Sequence, residues 1–317
     1  MQNNSQVVFV LHGLNDSVTN RQVFFAFALT SYLVTIVVNV MLIVTVFLEK
    51  TLHEPIYVFL CNLCFNGLCG ASAFYPKLLH DLVADAHVVT YAGCLTQIFA
   101  VYCYVFCEFT GLTVMAYDRY LAICRPLRYS ALMPARRVAW LLLLTWCFSL
   151  LETAIGLALT AGLPLCGRHI DKIFCTNWEV VKLSCVDTTV NNIYGFVLMF
   201  SHVSQTGLIL VSYTHLVRAS LRLRSDRKKF VQTCLPHLAA LLIFTGSLMF
   251  DIMYSRYGGG GGGGSGSLQA LHNALAAEFL VVPPLINPII YGINLHQIRT
   301  RILQNLSHKP EVHKALS

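Results

Sequence analysis

A seven-helix membrane bundle is the fold this sequence predicts, and three observations predict it. Of 317 residues, 56% are hydrophobic and only 12% are charged, about half the ~25% charged share of an average soluble domain. Between clusters of charge lie seven stretches with one charge or none, each reaching the ~20 residues that cross a bilayer core of ~30 Å. Lys and Arg are distributed unequally between alternate connections, as they are in inserted proteins. This composition excludes a soluble enzyme and a disordered chain.

The apolar stretches come in order. Residues 23–48 and 55–76 carry no charge, 91–117 carry only Glu108 and 138–167 only Glu152; 188–217 and 230–250 carry none, and 268–295 only Glu278. Helices are expected at about 23–48, 55–82, 91–122, 137–163, 188–222, 228–256 and 268–293, forming a bundle over 23–295. Residues 1–22 precede it as an extracellular N-terminus, and 294–317 follow it as a short cytoplasmic amphipathic helix and tail. Residues 258–264, Ser265, Gly266 and Ser267 hold 8 of the 20 glycines. They read as a flexible, non-helical link between the sixth and seventh spans, either natural low complexity or a rebuilt loop.

Counting Lys and Arg by alternate connections gives 16 on one side and 6 on the other, which puts the N-terminus outside and the C-terminus inside. The first 22 residues lack a basic start and an apolar core of signal-peptide length, so the first span is expected to act as the targeting signal. The basic connections face lipid headgroups and give no reason to invoke nucleic acid. Of the 12 cysteines, Cys94, Cys166, Cys175 and Cys185 fall on the outer side. An even number there implies two disulfides, with three pairings open. No CxxC or HxxxH pattern accompanies these four, so no metal centre is expected. Asn3-Asn4-Ser5 and Asn15-Asp16-Ser17 are glycosylation sequons on the same side, making Asn3 and Asn15 the acceptors. The marks of a transporter or channel, matching halves with paired broken helices, are not evident. Scattered His53, His80, His215 and His237 do not form a catalytic set, and no cofactor is implied.

Four motifs carry a specific resemblance: Leu52-His53-Glu54-Pro55-Ile56-Tyr57, the run Met115-Ala116-Tyr117-Asp118-Arg119-Tyr120-Leu121-Ala122-Ile123-Cys124, Ser212-Tyr213, and Pro283-Pro284-Leu285-Ile286-Asn287-Pro288-Ile289-Ile290-Tyr291. Over about residues 3–306 the chain resembles vertebrate olfactory receptors, a branch of the rhodopsin-like G-protein-coupled receptors. Ile298-Arg299-Thr300-Arg301 and Ser255-Arg256-Tyr257-Gly258 are further similar to the fish-like, or class I, subgroup, whose motif has His in place of Ser255. The resemblance implies a plasma-membrane odorant receptor that is not an enzyme. Its partners would be a small-molecule odorant, the lipid bilayer and a stimulatory, olfactory-type G protein that raises cAMP. It also implies the pairings Cys94–Cys175 and Cys166–Cys185. The chain departs from the broad class at Gly67, where an Asp is usual, at Thr245, where an aromatic is usual, and at Pro236-His237.

Within that frame the residues suggest a mechanism. Asp118, Arg119 and Tyr120 at the inner end of the third span, Tyr213 in the fifth, and Asn287, Pro288 and Tyr291 in the seventh form the expected switch. Arg beside a carboxylate can hold a pair when dry and release it when helices part. Pro288 weakens its helix, and the basic connection over 218–229, with Lys228 and Lys229, suits a G protein. Ligand residues are expected between the outer helix halves: Tyr102, Val105 and Phe106; His202 and Gln205; Asp251, Ile252 and Arg256. Arg256 offers a bidentate fork to a carboxylate, and Asp251 pairs with it or receives an amine. Glu108, with Gly67 in place of the helix-two acid, is expected in a structural or coupling role, with an internal water or ion site held alone, or a protonated carboxyl, as the alternatives.

Overall fold

A computed structural model describes residues 7–12, 18–84, 86–222, 227–257 and 266–294. Asn3, Asn15, the glycines at 258–264 and the tail from residue 295 onward lie outside the described residues, as do the side chains of Lys228, Lys229 and Tyr291.

Among the described residues seven long helices dominate: α1 (Val18–Leu48), α2 (Pro55–Val83), α3 (Tyr91–Cys124), α5 (Ala135–Ala161), α7 (Thr189–Arg222), α8 (Arg227–Tyr257) and α9 (Gly266–Asn294). Two short helices, α4 (Tyr129–Leu132) and α6 (Asn177–Val181), lie in the connections between them. Helices α1, α2, α3, α5 and α7 are each long and apolar enough to cross a membrane, and α9 has an apolar stretch over Ala277–Ile290. Their outward residues, such as Phe27, Val37 and Phe47 on α1 and Phe200 on α7, are large, apolar and exposed. That inversion of a soluble surface suits lipid, where a helix satisfies its own backbone and needs no polar face.

Local chemistry sets the helix ends. Pro55 starts α2 at a position where its missing N–H costs no bond. The Thr90 side chain caps α3 by accepting from the Gly93 N–H at 3.2 Å. Helix α9 begins at Gly266, inside the segment expected to be a tether. A helix's first turn has free N–H groups and tolerates glycine, so Gly266 and Ser267 join it.

The sequence reading missed a small sheet. Strands β1 (Val8–Leu11), β2 (Val88–Thr90) and β3 (His169–Ile170) run in the order β2-β1-β3. β1 is antiparallel to β2 and parallel to β3. The N-terminal segment therefore stitches the α2–α3 connection to the α5–α7 connection and buries Phe9 and Ile170 against Ile98. Disulfides Cys94–Cys175 and Cys166–Cys185, with Cα atoms 5.5 and 5.3 Å apart, fix the same cap. This sheet, the loop after β3 and α6 together form a lid over one end of the bundle.

α3 is the central helix, packed on α2, α5 and α7. The other constraint comes from Pro283, Pro284 and Pro288 within α9. Each proline lacks the N–H that would bond the carbonyl four residues earlier. Pro283 thus orphans the Phe279 carbonyl, and the Tyr104 hydroxyl donates to it at 3.0 Å. Pro288 orphans the Pro284 carbonyl, and Asn39 Nδ2 donates to that at 2.7 Å. Gly67 accommodates the same helix: a Cβ there would lie 3.2 Å from the Pro284 Cβ, so a larger side chain would require α9 to shift by a few tenths of an ångström.

If the α9 carbonyls depend on these donors, Tyr104→Phe, which removes one hydroxyl and little volume, should lower stability by about 1–3 kcal/mol. Thermal unfolding of the purified protein in detergent checks this; an unchanged midpoint would mean that the Phe279 carbonyl is satisfied otherwise.

Candidate functional site

Beneath the lid lies a cavity of about 680 Å³, counting its open mouth. α3 supplies Tyr102, Val105 and Phe106, spaced so that successive turns present the same face. α7 supplies Leu198, Met199, His202 and the bare backbone of Gly195. α8 supplies Leu248, Asp251, Ile252, Ser255 and Arg256, and the lid closes the top with Thr176, Asn177 and Trp178. Seven of the eight expected ligand residues therefore share one cavity. Gln205 does not: it lies three residues past His202 along α7, where its Oε1 accepts from Thr110 Oγ1 at 3.4 Å.

The floor is aromatic. The Phe106 and His202 rings have centroids 4.5 Å apart, and Phe109 packs edge-on to His202 at 5.0 Å and tilts against Phe244 at 5.0 Å. His202 turns its nitrogens away from this floor. Nδ1 bonds the Leu198 carbonyl at 2.7 Å, and Nε2 faces a Glu152 oxygen at 3.7 Å. Glu152, which had no evident partner in the sequence, also accepts from Ser201 at 3.0 Å. Ser247 hydrogen-bonds Glu278, the other acid without an evident partner.

The polar pole is at the lid. The Arg256 guanidinium carbon lies 4.1 Å from the centre of the Trp178 ring and 5.0 Å from that of Phe196. Nη1 donates to Asn192 Oδ1. A side chain at Gly195 would occupy the guanidinium's place, so this glycine gives Arg256 its seat on α7. Arg256 Nε, Trp178 Nε1 and Thr176 Oγ1 are all buried without a hydrogen-bond partner. All three belong to residues that line the cavity, where an acceptor-rich ligand group could pair them. Asp251, expected to pair with Arg256 or to receive an amine, has its ion pair with Lys172, a lid residue only 2% exposed at its side chain.

Below the cavity, Glu108 is not alone. Its two oxygens accept from Asn66 Nδ2 at 3.0 Å and Asn287 Nδ2 at 2.8 Å, binding α2, α3 and α9 together. Asn66 Nδ2 also reaches the Tyr104 carbonyl at 3.0 Å. Among the described residues, no group of three or more His, Cys, Asp or Glu could hold a metal ion.

At the far end of α3, Asp118 is fully buried and Arg119 Nη2 bonds it at 2.7 Å. The Tyr129 hydroxyl of α4 donates to the other Asp118 oxygen, also at 2.7 Å. Burial and this acidic partner push the Tyr129 hydroxyl above its ordinary pKa. Tyr120 lies against the His215 ring, with centroids 6.0 Å apart. Tyr213 is buried in the same apolar cluster as Leu112 and Met115. Asn287, expected in the switch, binds Glu108 instead of the Arg119 end.

A family model described as "Olfactory receptor" matches residues 27–309. Olfactory receptor 2G6 of Homo sapiens is 36% identical over 302 residues, covering 94% of this chain and 93% of the relative. Olfactory receptor 2C3 of Homo sapiens is 35% identical over 302 residues, covering 94% and 92%. Olfactory receptor 9S13 of Mus musculus is 34% identical over 313 residues, covering 98% and 91%.

Removing the Glu108 acceptors should strand its two amide donors. Glu108→Ala is expected to cost about 1–3 kcal/mol for each donor left unpaired. Asn287→Ala should then add less in the Glu108→Ala background than it does alone. Additive losses in detergent unfolding would mean that the two side chains are not coupled.

Proposed function

The chain belongs to the olfactory receptor family, and from that premise we propose that its cavity receives a small carboxylate-bearing odorant and that its Arg119 end activates a stimulatory G protein, raising cAMP. As a family member it is an odorant-sensing, multi-pass membrane receptor and not an enzyme. The ligand class and the signalling partner are our reading.

One observation carries the ligand class: three residues that line the cavity, Arg256, Trp178 and Thr176, each keep a buried donor group without a partner. A carboxylate has two oxygens with about four acceptor positions and is met by a guanidinium through paired, charge-assisted bonds. The Trp178 and Phe196 rings hold the guanidinium plane from its sides, leaving little rotamer freedom to lose on binding. The aromatic and aliphatic floor accepts an apolar tail of limited length.

The disulfide-pinned lid suits an oxidising exterior, and the Lys and Arg excess on the Arg119 side suits a cytoplasm. Together they support a plasma-membrane receptor with its lid outward and its C-terminus inside. On the inner face the Asp118–Arg119–Tyr129 cluster restrains Arg119, and Lys228 and Lys229, which fall in the first turn of α8 and not in a loop, belong to the basic stretch that would meet a G protein. Asn287, with Pro288 and Tyr291 beyond it on α9, reports the helix's state to the Glu108 hub.

A cAMP reporter in cells displaying the receptor tests the reading. Short-chain carboxylates should evoke cAMP, and silence to a broad carboxylate panel despite surface display would sink the ligand class. Arg256→Ala should raise the half-maximal concentration of an active carboxylate by about tenfold to hundredfold, the worth of a charge-assisted bond at roughly 1.5–3 kcal/mol. Asp118→Asn, which loosens both Arg119 and Tyr129, should raise cAMP without ligand at matched surface levels; an unchanged baseline would remove Asp118 from the switch.

A further inference from the structure

We propose that Lys172 decides the charge class of the ligand, by neutralising Asp251 so that the cavity selects monocarboxylates over amino acids and amines. The inference rests on the carboxylate reading above and deepens it.

Asp251 lines the cavity, five residues before Arg256 on the same helix. Left to itself, that pair of opposite charges would suit a zwitterion, with Arg256 taking the carboxylate and Asp251 the ammonium. The lid changes this. Lys172 lies between β3, which ends at Ile170, and Cys175, which is bonded to Cys94 of α3. Its backbone is therefore tied on both sides within three residues. Its ammonium bonds Asp251 Oδ1, and both side chains are nearly sealed from solvent, at 2% and 8% exposed.

The remaining ionic groups near the cavity have partners of their own. Glu179 on α6 is met by Lys182 at 2.7 Å. His202 Nε2 and a Glu152 oxygen face one another at 3.7 Å, and Glu152 also accepts from Ser201. Arg256 alone has aromatic rings and a neutral amide around it. Among the described residues the wall thus carries one positive charge without an acidic partner, and a monoanion is the ligand that neutralises it. An ammonium brought to Asp251 must displace Lys172, leaving a buried, unpaired cation; such a loss is severe in a dry site. The pair works as exclusion: it spoils the site for a competitor and adds no contact to the favoured ligand.

The test uses the full-length receptor in the cAMP reporter, with surface labelling to normalise display. The probes are a straight-chain carboxylate, the α-amino acid of the same carbon skeleton and the corresponding primary amine. The parent should answer the carboxylate at concentrations at least about tenfold below either amine-bearing probe, as expected for one lost charge-assisted bond. Lys172→Met should reverse the order, weakening the carboxylate and gaining the amino acid. Lys172→Arg should keep the parent order, and Lys172→Met with Asp251→Asn should restore it. A parent that prefers the amino acid, or a displayed Lys172→Met that keeps the parent order, overturns the proposal while the carboxylate reading stands. A parent silent to all carboxylates overturns both. Should Lys172→Met fail to reach the surface, Asp251→Asn carries the test: it frees Lys172 as a second cation and should gain dicarboxylates by about tenfold, and no such gain overturns the proposal.

Discussion

The backbone of α9 has to be satisfied in a place without water. Three prolines remove three N–H donors from one helix, and hydrocarbon offers nothing to replace them. The donors come from other helices: Tyr104 of α3 for the Phe279 carbonyl and Asn39 of α1 for the Pro284 carbonyl. Asn287, one residue before the last of the prolines, adds its amide to Glu108 of α3, which Asn66 of α2 also holds. Apolar packing alone is non-directional and would let these helices slide past one another. Directional bonds between named atoms set their register, and the lid and cavity depend on that register.

α3 transmits it. Thirty-four residues at 1.5 Å per residue make a rod of about 50 Å. Along that rod come the lid disulfide at Cys94, the cavity wall at Tyr102 to Phe106, the polar hub at Glu108, and the Asp118–Arg119 pair. A shift of the rod at one end must be accommodated at the hub, because Asn66 and Asn287 grip the same carboxyl group from two different helices. α8 is a second rod, with Asp251 and Arg256 near one end and its first turn at Arg227 on the other side. The lid grips α8 through Lys172. A ligand between α3, α7 and α8 therefore touches the elements whose relative position sets the Arg119 end.

Much of this was legible in the sequence, for a physical reason. A membrane span is a local property, since every residue in the window contributes to the same transfer free energy. Seven spans could therefore be read from uncharged runs, and Tyr102, Val105, Phe106, Asp251, Ile252 and Arg256 could be placed on outer helix halves. What escaped depended on contacts distant in sequence. β1 is four residues long and acquires its meaning only when the Arg168 and His87 carbonyls accept from its Val10 and Leu11 N–H groups. Lys172 and Asp251 are 79 residues apart, and nothing near either names the other. Gln205 lies outside the cavity lining and accepts from Thr110 instead, because an expectation based on helix position says little about angle. Gly67 looked like the loss of an acid; it is the place where Pro284 packs close.

Lys172 with Asp251, and the unpaired donors of Arg256, Trp178 and Thr176, make opposite demands on the folded chain. A buried ion pair is seldom stabilising against an apolar replacement, because two desolvated charges recover little more than they lose. Unpaired buried donors are worse, at about 1–3 kcal/mol each. Both features sit at the lid end, in a bundle whose middle pairs the amide donors of Asn39, Asn66 and Asn287, while the Asn39 and Asn66 side-chain oxygens stay without a partner. The difference follows from where the molecule has to respond. A hub that holds register must have every donor met before any ligand arrives, since an unmet donor there would invite another arrangement. A recognition wall must leave donors unmet, since a group already paired offers a ligand only exchange. The stability of the middle thus offsets the incompleteness of the lid end, and that incompleteness is what a ligand's acceptor atoms can fill.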